Sequence, residues 1–521
     1  MNGRPNFLYF ITDQQRADWL GCYGHPVVKT PNIDAIAAKG TRFDDLHVAM
    51  PVCMPNRASL MTGRMPSVHG LRYNGCQLSR DAVTFVDVLA AAGYDTAAIG
   101  KSHLQEFTGQ PSWHARHNHL PGRLIEEAWR SGPAPSEEDA ENYAATDRYV
   151  IETPYYGFRH VDMVTRHGDT CGGHYEQWFR EAAPDWRALR DRDNELPHNY
   201  SCPQAYRTPI PEALYPTAWV ADRAIDYLTD PARAEAPFFA FVSFPDPHHP
   251  FNPPGRYWDM YSPEDFELPL PYEAHRNPPP PLRWLHDNFH GAQEQMTKQT
   301  AIYAGEQALK EAMALTAGMI TMIDDHVGRV VAALRAAGLY DDTVICFNSD
   351  HGDYLGDFNL LLKGLLPVRG LTRVPMIWSD PRGRRAGSSD ALASTIDIPA
   401  TILDRAGQMP FYGIQGRSLL PTIETGAGHR DEILIEFNDS APKFGFAAPA
   451  RVRTLRTSDW RLSLYAGQDW GELYHVARDP GETQNLWDDP AHGDTRARLT
   501  ERLAHHLTAQ MDESPRAHLV A

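Results

Sequence analysis

Four short apolar runs, each ending at polar residues that can carry chemistry, constrain the fold of this chain more than any other feature. The runs occupy residues 7–11, 96–100, 238–244 and 343–347. Apolar runs of this length between polar boundaries are typical of buried strands in a parallel sheet. In open α/β sheets the ligand crevice lies beyond the carboxyl ends of the strands. We therefore expect the polar residues after all four runs to face one pocket.

The regions between and after these runs predict the rest of the architecture. Residues 320–334 place apolar side chains at helical spacing, as in a helix packed on a sheet. A chain of 521 residues exceeds one core of ordinary size, and its pattern changes after residue 421 to short strands and a terminal amphipathic helix. We predict an α/β domain over residues 1–421, with a central mostly parallel sheet flanked by helices, and a smaller C-terminal α+β subdomain over residues 422–521. The polar segment at about 105–215 predicts an irregular insertion over one side of the sheet.

The charge balance and the cysteines exclude several classes of function. With 67 acidic against 49 basic residues, the formal net charge of −18 repels a nucleic-acid backbone. The same field opposes any anionic substrate, so an anion site would need its own cluster of cations. No apolar stretch reaches the ~20 residues that cross a bilayer, and the start of the chain does not resemble a signal peptide. Six scattered cysteines without CxxC spacing fit reduced thiols, so we expect a cytoplasmic protein that binds no nucleic acid and no membrane.

The segment from residue 53 to residue 64 carries the most chemical information. Taken by itself, Cys53 precedes a helix in which the early Pro55 needs no backbone donor. A thiol there feels the positive helix end, which lowers its pKa and favours bound anions, although a buried structural cysteine can have the same pattern. The segment reads Cys53-Met54-Pro55-Asn56-Arg57-Ala58-Ser59-Leu60-Met61-Thr62-Gly63-Arg64.

The Cys-x-Pro-x-Arg spacing of this segment, with the Leu-x-Thr-Gly-Arg that follows it, resembles the signature of the type I sulfatases in the alkaline phosphatase superfamily. The resemblance implies an alkaline-phosphatase-like fold and a nucleophile made after translation, when a maturation system oxidises Cys53 to formylglycine. The hydrated aldehyde offers an oxygen nucleophile, and its second hydroxyl lets the enzyme expel sulfate by re-forming the aldehyde. An ordinary hydroxyl nucleophile would leave an ester that water must hydrolyse.

Asp13, Gln14, Asp350 and His351 follow the first and fourth runs and form the predicted metal site. Their carboxylate, amide and imidazole groups suit a divalent ion, although a single acid after a strand is often only a helix cap or turn residue. The resemblance implies one ion, held by these residues and by the modified Cys53. Many arylsulfatases of the family have Asp-Asp and Asp-Asn at these positions, so this chain is more similar to the phosphonate monoester hydrolase and choline sulfatase branches. The neutral Gln14 leaves the ion a stronger Lewis acid, and the imidazole favours manganese, while calcium stays open.

Arg57, Lys101 and His103 are predicted catalytic groups near the nucleophile. Arg57 lies one helical turn after Cys53, where it could hold the ionised diol. Lys101 and His103 follow the second run in a pattern similar to the family's Gly-Lys-x-His. The resemblance implies that His103 removes the proton whose loss releases sulfate. Outside such a context, each of these residues would usually be a surface group.

His248, Lys363 and Asn74 complete the predicted site. The segment after the third run resembles the family's Pro-His-x-Pro motif, and this resemblance selects His248 rather than its neighbour. Lys363 lies thirteen residues beyond Asp350, at the spacing where the family keeps a lysine. The resemblance implies that Lys363 and His248 stabilise or protonate the leaving oxygen. Asn74, twenty-one residues after Cys53, matches a polar substrate contact of the phosphonate hydrolase branch.

The resemblance implies a hydrolase of sulfate monoesters that is promiscuous toward phosphonate monoesters and phosphodiesters. The phosphonate hydrolase branch usually has Tyr and Thr in place of Lys101 and His103, which favours sulfate here. The metal ligands and Asn74 instead favour a phosphonate monoester hydrolase or phosphodiesterase, and an inactive anion- or metal-binding protein on the same fold is a third alternative. The expected partners are a small-molecule sulfate, phosphonate or phosphate ester and the formylglycine-generating maturation system. Related cytosolic enzymes often form dimers or tetramers, so the resemblance also implies a homo-oligomer.

Overall fold

The computed structural model describes residues 4–110, 136–231, 236–291, 300–383, 387–514 and 516–517. The strands in this part of the chain are β1 (Asn6–Thr12), β2 (Thr41–Phe43), β3 (Leu46–His47), β4 (Asp95–Lys101), β5 (His160–Thr165), β6 (Gly172–Gly173), β7 (Phe238–Ser243), β8 (Ile302–Tyr303), β9 (Thr343–Ser349), β10 (Leu360–Leu361), β11 (Met376–Ser379), β12 (Gly387–Ser389), β13 (Ala393–Ser394), β14 (Glu432–Asn438), β15 (Arg451–Thr457), β16 (Arg461–Tyr465) and β17 (Gly471–Tyr474). The α-helices are α1 (Pro31–Ala37), α2 (Cys53–Thr62), α3 (Pro66–His69), α4 (Phe85–Ala91), α5 (Ala140–Ala145), α6 (His174–Ala182), α7 (Trp186–Arg190), α8 (Pro216–Thr229), α9 (Pro280–His290), α10 (Glu306–Ala336), α11 (Arg369–Thr372), α12 (Asp397–Arg405), α13 (Leu420–Thr425) and α14 (Gly493–Ala509).

Nine strands of the described residues form one central sheet, in the order β12-β2-β11-β9-β1-β7-β4-β5-β6. β1 lies between β9 and β7, and both pairs are parallel. β4 and β5 continue the parallel part, while β11 and β6 run antiparallel to their neighbours. The four predicted runs are confirmed as β1, β4, β7 and β9. They lie side by side, so their carboxyl ends meet at one edge of the sheet.

Both faces of β1 are buried, which explains its uninterrupted apolar sequence. Leu8 and Phe10 pack into one core with side chains of α8 and α10. Phe7, Tyr9 and Ile11 pack into a second core with side chains of α2 and α4. Successive side chains point to opposite faces of a strand, so a central strand that is covered on both sides must be apolar throughout.

α10 is the longest helix of the described residues, with 31 residues, and it contains the predicted helix at 320–334. Two of its buried carboxylates support neighbouring loops. Glu311 accepts the Cys202 N–H at 2.7 Å, and Asp324 accepts the Ile33 N–H at 2.7 Å. Such polar groups fit a helix within a globular core. Among the described residues, none of the helices combines the length and apolarity needed to cross a bilayer.

The prediction that residues 105–215 form an irregular insertion is wrong for the described part of that segment. β5 extends the central sheet beside β4, and α6 packs against β5. Only Met163, Val164 and Thr165 of β5 are buried, because the strand lies near the edge of the sheet. Its sequence therefore lacks the long apolar run that marks the central strands. Residues 111–135 of the predicted insertion lie outside the described residues.

A separate antiparallel sheet, in the order β14-β15-β16-β17, contains the strands predicted near the end of the chain. α14 packs on this sheet through Leu499 and Leu503, which fits the predicted α+β texture. β14 also contacts the larger part of the molecule, where the Glu436 N–H donates to the Ala49 carbonyl at 2.8 Å. The C-terminal sheet thereby supports the loop that leads into α2. The domain boundary between residues 421 and 422 stays a prediction.

Candidate active site

Five strands of the central sheet deliver polar side chains to one buried cluster at its carboxyl edge. All five side chains belong to residues that are 8% exposed or less. A sixth group enters from the start of α2, where the nucleophile segment begins. The five residues are Asp13 after β1, Lys101 at the end of β4, His167 after β5, His248 after β7 and Asp350 after β9.

Asp13, Cys53, Asp350 and His351 each place one ligand atom within 4.8 Å of the others, and all four residues are buried. Asp13 Oδ1 has no hydrogen-bond partner within the described residues, and it lies 3.8 Å from His351 Nε2. His351 Nδ1 donates to the Gly352 carbonyl at 2.8 Å, so Nε2 keeps its lone pair toward the cluster. A buried carboxylate oxygen without a donor and an imidazole lone pair suit a divalent cation. These residues therefore fit the predicted ion.

Gln14 is oriented so that its carbonyl oxygen faces this cluster. Its Nε2 donates to Asp353 Oδ2 and contacts His249 Nδ1 at 3.3 Å, while its Oε1 accepts from Lys363 Nζ at 3.0 Å. The Gln14 N–H donates to Asp350 Oδ1 at 3.0 Å. With a φ of 65°, Gln14 has a left-handed backbone that is uncommon outside glycine. Asp353 thus selects the amide orientation that a metal ligand needs.

The ammonium of Lys363 lies among the atoms that are predicted to bind the metal. Lys363 Nζ is 3.1 Å from Cys53 Sγ, 3.2 Å from His351 Nε2 and 2.9 Å from His248 Nε2. Burial by itself would raise the pKa of the Cys53 thiol, but the positive charge of Lys363 offsets this and the pKa falls to about 7. Cys53 Sγ marks the position from which the oxygens of formylglycine would extend. The ammonium therefore faces the predicted nucleophile.

Arg57 and Lys101 neutralise the two carboxylates of the cluster. Arg57 Nε donates to Asp350 Oδ2 at 2.7 Å, and its Nη2 donates to Asp13 Oδ2 at 3.4 Å. Lys101 Nζ donates to the same oxygen of Asp13. Burial would raise the pKa of Asp13, but Lys101 and Arg57 hold it well below its ordinary value. The role of Arg57 toward the diol stays a prediction, because these hydrogen bonds go to the carboxylates.

His103 and His248, the predicted proton carriers, are both buried. His248 Nδ1 donates to the His249 carbonyl at 2.5 Å, so its Nε2 accepts from Lys363. His103 stacks on Phe107 with ring centroids 4.3 Å apart, and its Nδ1 has no hydrogen-bond partner in the described part of the chain. Burial holds the pKa of both imidazoles well below its ordinary value, and the surrounding cations lower it further. Both rings are therefore neutral imidazoles, and each is a weaker base than an exposed histidine.

Asn74 lies at the start of the nucleophile helix. Its Oδ1 accepts the Met54 N–H at 3.2 Å and so satisfies one of the free donors at the beginning of α2. Asn74 is exposed, whereas Cys53 is 1% exposed. The geometry places a polar amide beside the nucleophile and open to solvent, and the predicted substrate contact stays a prediction.

Two buried residues of this region, His167 and Glu138, were missed by the sequence analysis. His167 Nε2 accepts from Lys101 Nζ at 2.5 Å, and its ring stacks on His248 with centroids 3.5 Å apart. Glu138 accepts the His103 N–H at 2.9 Å and holds a turn in which His103 has a φ of 58°. The short apolar end of β5 was a signal that His167 follows a strand of the sheet. The sequence around Glu138 contains no pattern that predicts its contact with His103.

Comparison with known proteins identifies the family. The sulfatase family model matches residues 5–408, and the model for the C-terminal region of N-sulphoglucosamine sulphohydrolase matches residues 368–509. The chain is 31% identical over 493 residues to an arylsulfatase from Clostridium perfringens, which covers 93% of this chain and 90% of that protein. It is 29% identical to the multifunctional alkaline phosphatase superfamily protein PehA from Trinickia caryophylli, with 94% and 92% covered.

The fold agrees with these sequence matches. The crystal structure of the phosphonate monoester hydrolase of Agrobacterium radiobacter superposes with a TM-score of 0.77 at 26% identity. The superposition covers 98% of this chain and 97% of that one. Since the family match spans most of the chain, the protein belongs to the sulfatase family, a family of sulfuric ester hydrolases within the alkaline phosphatase superfamily.

Proposed function

We propose that this protein is a formylglycine- and metal-dependent hydrolase of sulfate monoesters, with lower activity toward phosphonate monoesters and phosphodiesters. The observation that carries the proposal is a pair of buried ammonium groups beside the reacting residues. Lys363 contacts Cys53 Sγ, and Lys101 contacts Asp13. They bring positive charge into a protein of net charge −18, as an anionic substrate requires.

A divalent ion would be held by Asp13, Gln14, Asp350, His351 and the modified Cys53. Such an ion supplies Lewis acidity toward an ester oxygen and favours the ionised form of a nearby nucleophile. The nitrogen lone pair of His351 in a set of oxygen ligands favours manganese over calcium. Arg57 holds both carboxylates in place by donating to Asp350 Oδ2 at 2.7 Å and to Asp13 Oδ2 at 3.4 Å.

Formylglycine at position 53 would supply an oxygen nucleophile whose ester can break down without direct attack by water. The chain's own residues would handle the charges and protons. Lys363 lies between Cys53 and His248, so its ammonium can stabilise negative charge that develops on the leaving oxygen. His103 is held as the neutral imidazole, which is the form that can accept the proton whose loss releases sulfate.

A second candidate is a phosphonate monoester hydrolase or phosphodiesterase as the main activity. Gln14, His351 and Asn74 favour it, as does the likeness to a phosphonate monoester hydrolase structure. Lys101 and His103 favour sulfate, because a lysine and an imidazole offer a cation and a base that Tyr and Thr do not offer near neutral pH. An inactive anion- or metal-binding protein is the alternative from another class, and it would not require this complete set of nucleophile, ligands and cations.

The test is a panel of substrates that share one aryl leaving group: an aryl sulfate, an aryl phosphonate monoester and an aryl phosphodiester. The formylglycine content at position 53 is measured first, and all assays contain saturating Mn²⁺. We expect the highest kcat/KM for the sulfate, with measurable turnover of the other two. A higher value for the phosphonate or phosphodiester would favour the second candidate. Absence of turnover with all three would favour an inactive binding protein.

The proposal includes three properties of the protein's setting. They are a cytoplasmic location, a homo-oligomeric state and a dependence on a maturation system that recognises the segment around Cys53. The scattered cysteines and the family resemblance support them. Light scattering of the purified protein tests the oligomeric state, and expression with and without a maturation enzyme tests the dependence.

A further inference from the structure

His167 occupies a central place in the buried cluster although no sequence motif marks it. It follows β5, and only 8% of its surface is exposed. Its Nε2 lies 2.5 Å from Lys101 Nζ and 3.8 Å from Asp13 Oδ2. Its ring lies parallel to that of His248, with an interplanar angle of 9° and centroids 3.5 Å apart. His167 therefore connects Lys101 on one side with His248 on the other.

The contact with Lys101 fixes which oxygen of Asp13 that lysine can reach. An ammonium group only donates, so Nε2 of His167 must act as an acceptor. Lys101 Nζ is held between this nitrogen and Asp13 Oδ2. The other carboxylate oxygen, Asp13 Oδ1, has no hydrogen-bond partner within the described ranges and faces His351. His167 thus keeps the lysine away from the oxygen that a metal ion would use.

The contact with His248 supports the second lysine in the same way. His248 Nε2 accepts from Lys363 Nζ at 2.9 Å, and the parallel His167 ring covers one face of His248. Aromatic stacking of this kind restricts rotation of the imidazole. Two lysine–histidine pairs, Lys101–His167 and His248–Lys363, therefore meet through the stacked rings.

A second metal site at Asp13, His167 and His248 is the competing interpretation, since their ligand atoms also lie within 4.8 Å of one another. The geometry opposes it. Imidazole lone pairs lie in the ring plane, so two parallel stacked rings direct them side by side instead of toward one point.

We propose that His167 is a positioning residue, which holds Lys101 on Asp13 Oδ2 and holds the His248 ring against Lys363. The inference rests on the proposed function for the reaction in which these groups act. Its effect on metal binding does not depend on which ester the protein hydrolyses. Metal affinity therefore provides a readout that remains valid if the proposed substrates are wrong.

Two substitutions separate the two contacts. His167→Gln can keep an acceptor near the position of Nε2 but loses the stacked ring. His167→Phe keeps a stacked ring of similar size but loses the acceptor. Calorimetry measures the Mn²⁺ affinity of each protein, and steady-state kinetics with an aryl sulfate are measured at equal formylglycine content.

We expect His167→Phe to weaken Mn²⁺ binding about tenfold and to lower kcat more than it raises KM, because Lys101 can then move to Asp13 Oδ1. His167→Gln should restore most of the Mn²⁺ affinity but not all of kcat. The double variant Lys101→Met with His167→Phe should lose kcat by a factor that is clearly smaller than the product of the two single losses.

Three results would overturn the inference. One is wild-type Mn²⁺ affinity and kcat in His167→Phe. Another is equal losses in the Phe and Gln variants together with a lower unfolding temperature, which would indicate a purely structural role. The third is effects of Lys101→Met and His167→Phe that multiply in full. If the wild type hydrolyses none of the esters, the proposed function fails, while the Mn²⁺ measurements still decide whether His167 positions Lys101.

Discussion

Replacement of Arg57 by leucine should make the stability of the fold depend more strongly on the metal ion. The Arg57 residue is 1% exposed and donates to both carboxylates of the predicted metal site. Its nitrogens lie 2.7 Å from Asp350 Oδ2 and 3.4 Å from Asp13 Oδ2. Leucine fills part of the same volume but leaves the two buried carboxylates with one cation fewer.

The expected size of the effect follows from this geometry. Opposite unit charges about 4 Å apart attract by about 4 kcal/mol at an effective dielectric constant of about 20, and removal of one partner from a buried ion pair costs about 3–5 kcal/mol. We expect the free energy of unfolding of metal-free Arg57→Leu to fall by an amount in this range. A divalent ion replaces the missing charge, so saturating Mn²⁺ should recover at least about half of the loss.

The assay is thermal unfolding in chelator and in saturating Mn²⁺, at several scan rates because large chains often unfold irreversibly. The rise in unfolding temperature caused by Mn²⁺ should be larger in Arg57→Leu than in the wild type. Arg64→Leu is the matched control, because Arg64 follows the same helix, is 7% exposed and donates to the carbonyls of Tyr412 and Gly413. It should lose stability but keep the wild-type rise. Equal rises in Arg57→Leu and the wild type would refute the idea that Arg57 and the ion share the two carboxylates.

Three further changes test separate parts of the site. Asp353→Asn should weaken Mn²⁺ binding about 10–100-fold in calorimetry, because the new asparagine no longer fixes the Gln14 carbonyl toward the ion. Unchanged Mn²⁺ affinity would contradict this. The double change Lys101→Tyr with His103→Thr should lower kcat/KM for an aryl sulfate about 100-fold relative to an aryl phosphonate monoester, a difference of ~2.7 kcal/mol. A ratio of the two kcat/KM values within about threefold of the wild-type ratio would count against this. Burial raises the pKa of Glu138 from 4.5 to about 7, so between these pH values the carboxyl keeps its proton in the folded protein and has lost it in the unfolded chain. Wild-type stability should therefore fall relative to Glu138→Gln by up to about 3 kcal/mol as pH rises from about 5 to about 7, and parallel pH profiles in unfolding measurements would contradict it.

The sequence predicted those parts of the molecule whose signal is local. β1 is apolar on both faces because both faces are buried, so its run was readable without any partner strand. The polar residues after the four central strands could be predicted because they directly follow these apolar runs. β5 was missed because only its last three residues are buried near the edge of the sheet, and His167 was missed with it.

The orientation of the site residues depends on contacts that leave no local pattern. Asp353 fixes the Gln14 amide across 339 positions of the chain, and Glu138 holds the His103 turn across 35 positions. Arg57 was predicted from its motif, but its hydrogen bonds to the two carboxylates follow from the packing of α2 against the sheet. Residue types could thus be predicted from spacing, whereas the partners of each side chain required the fold.

The extent of Cys53 oxidation, measured together with turnover, tests the proposed chemistry most directly. Preparations with graded maturation are assayed for initial rate on an aryl sulfate at saturating Mn²⁺, and peptide mass spectrometry gives the fraction of formylglycine at position 53. We predict that the rate is proportional to this fraction and extrapolates to nearly zero for the unmodified thiol. Full activity in a preparation that contains only unmodified Cys53 would contradict the proposed nucleophile.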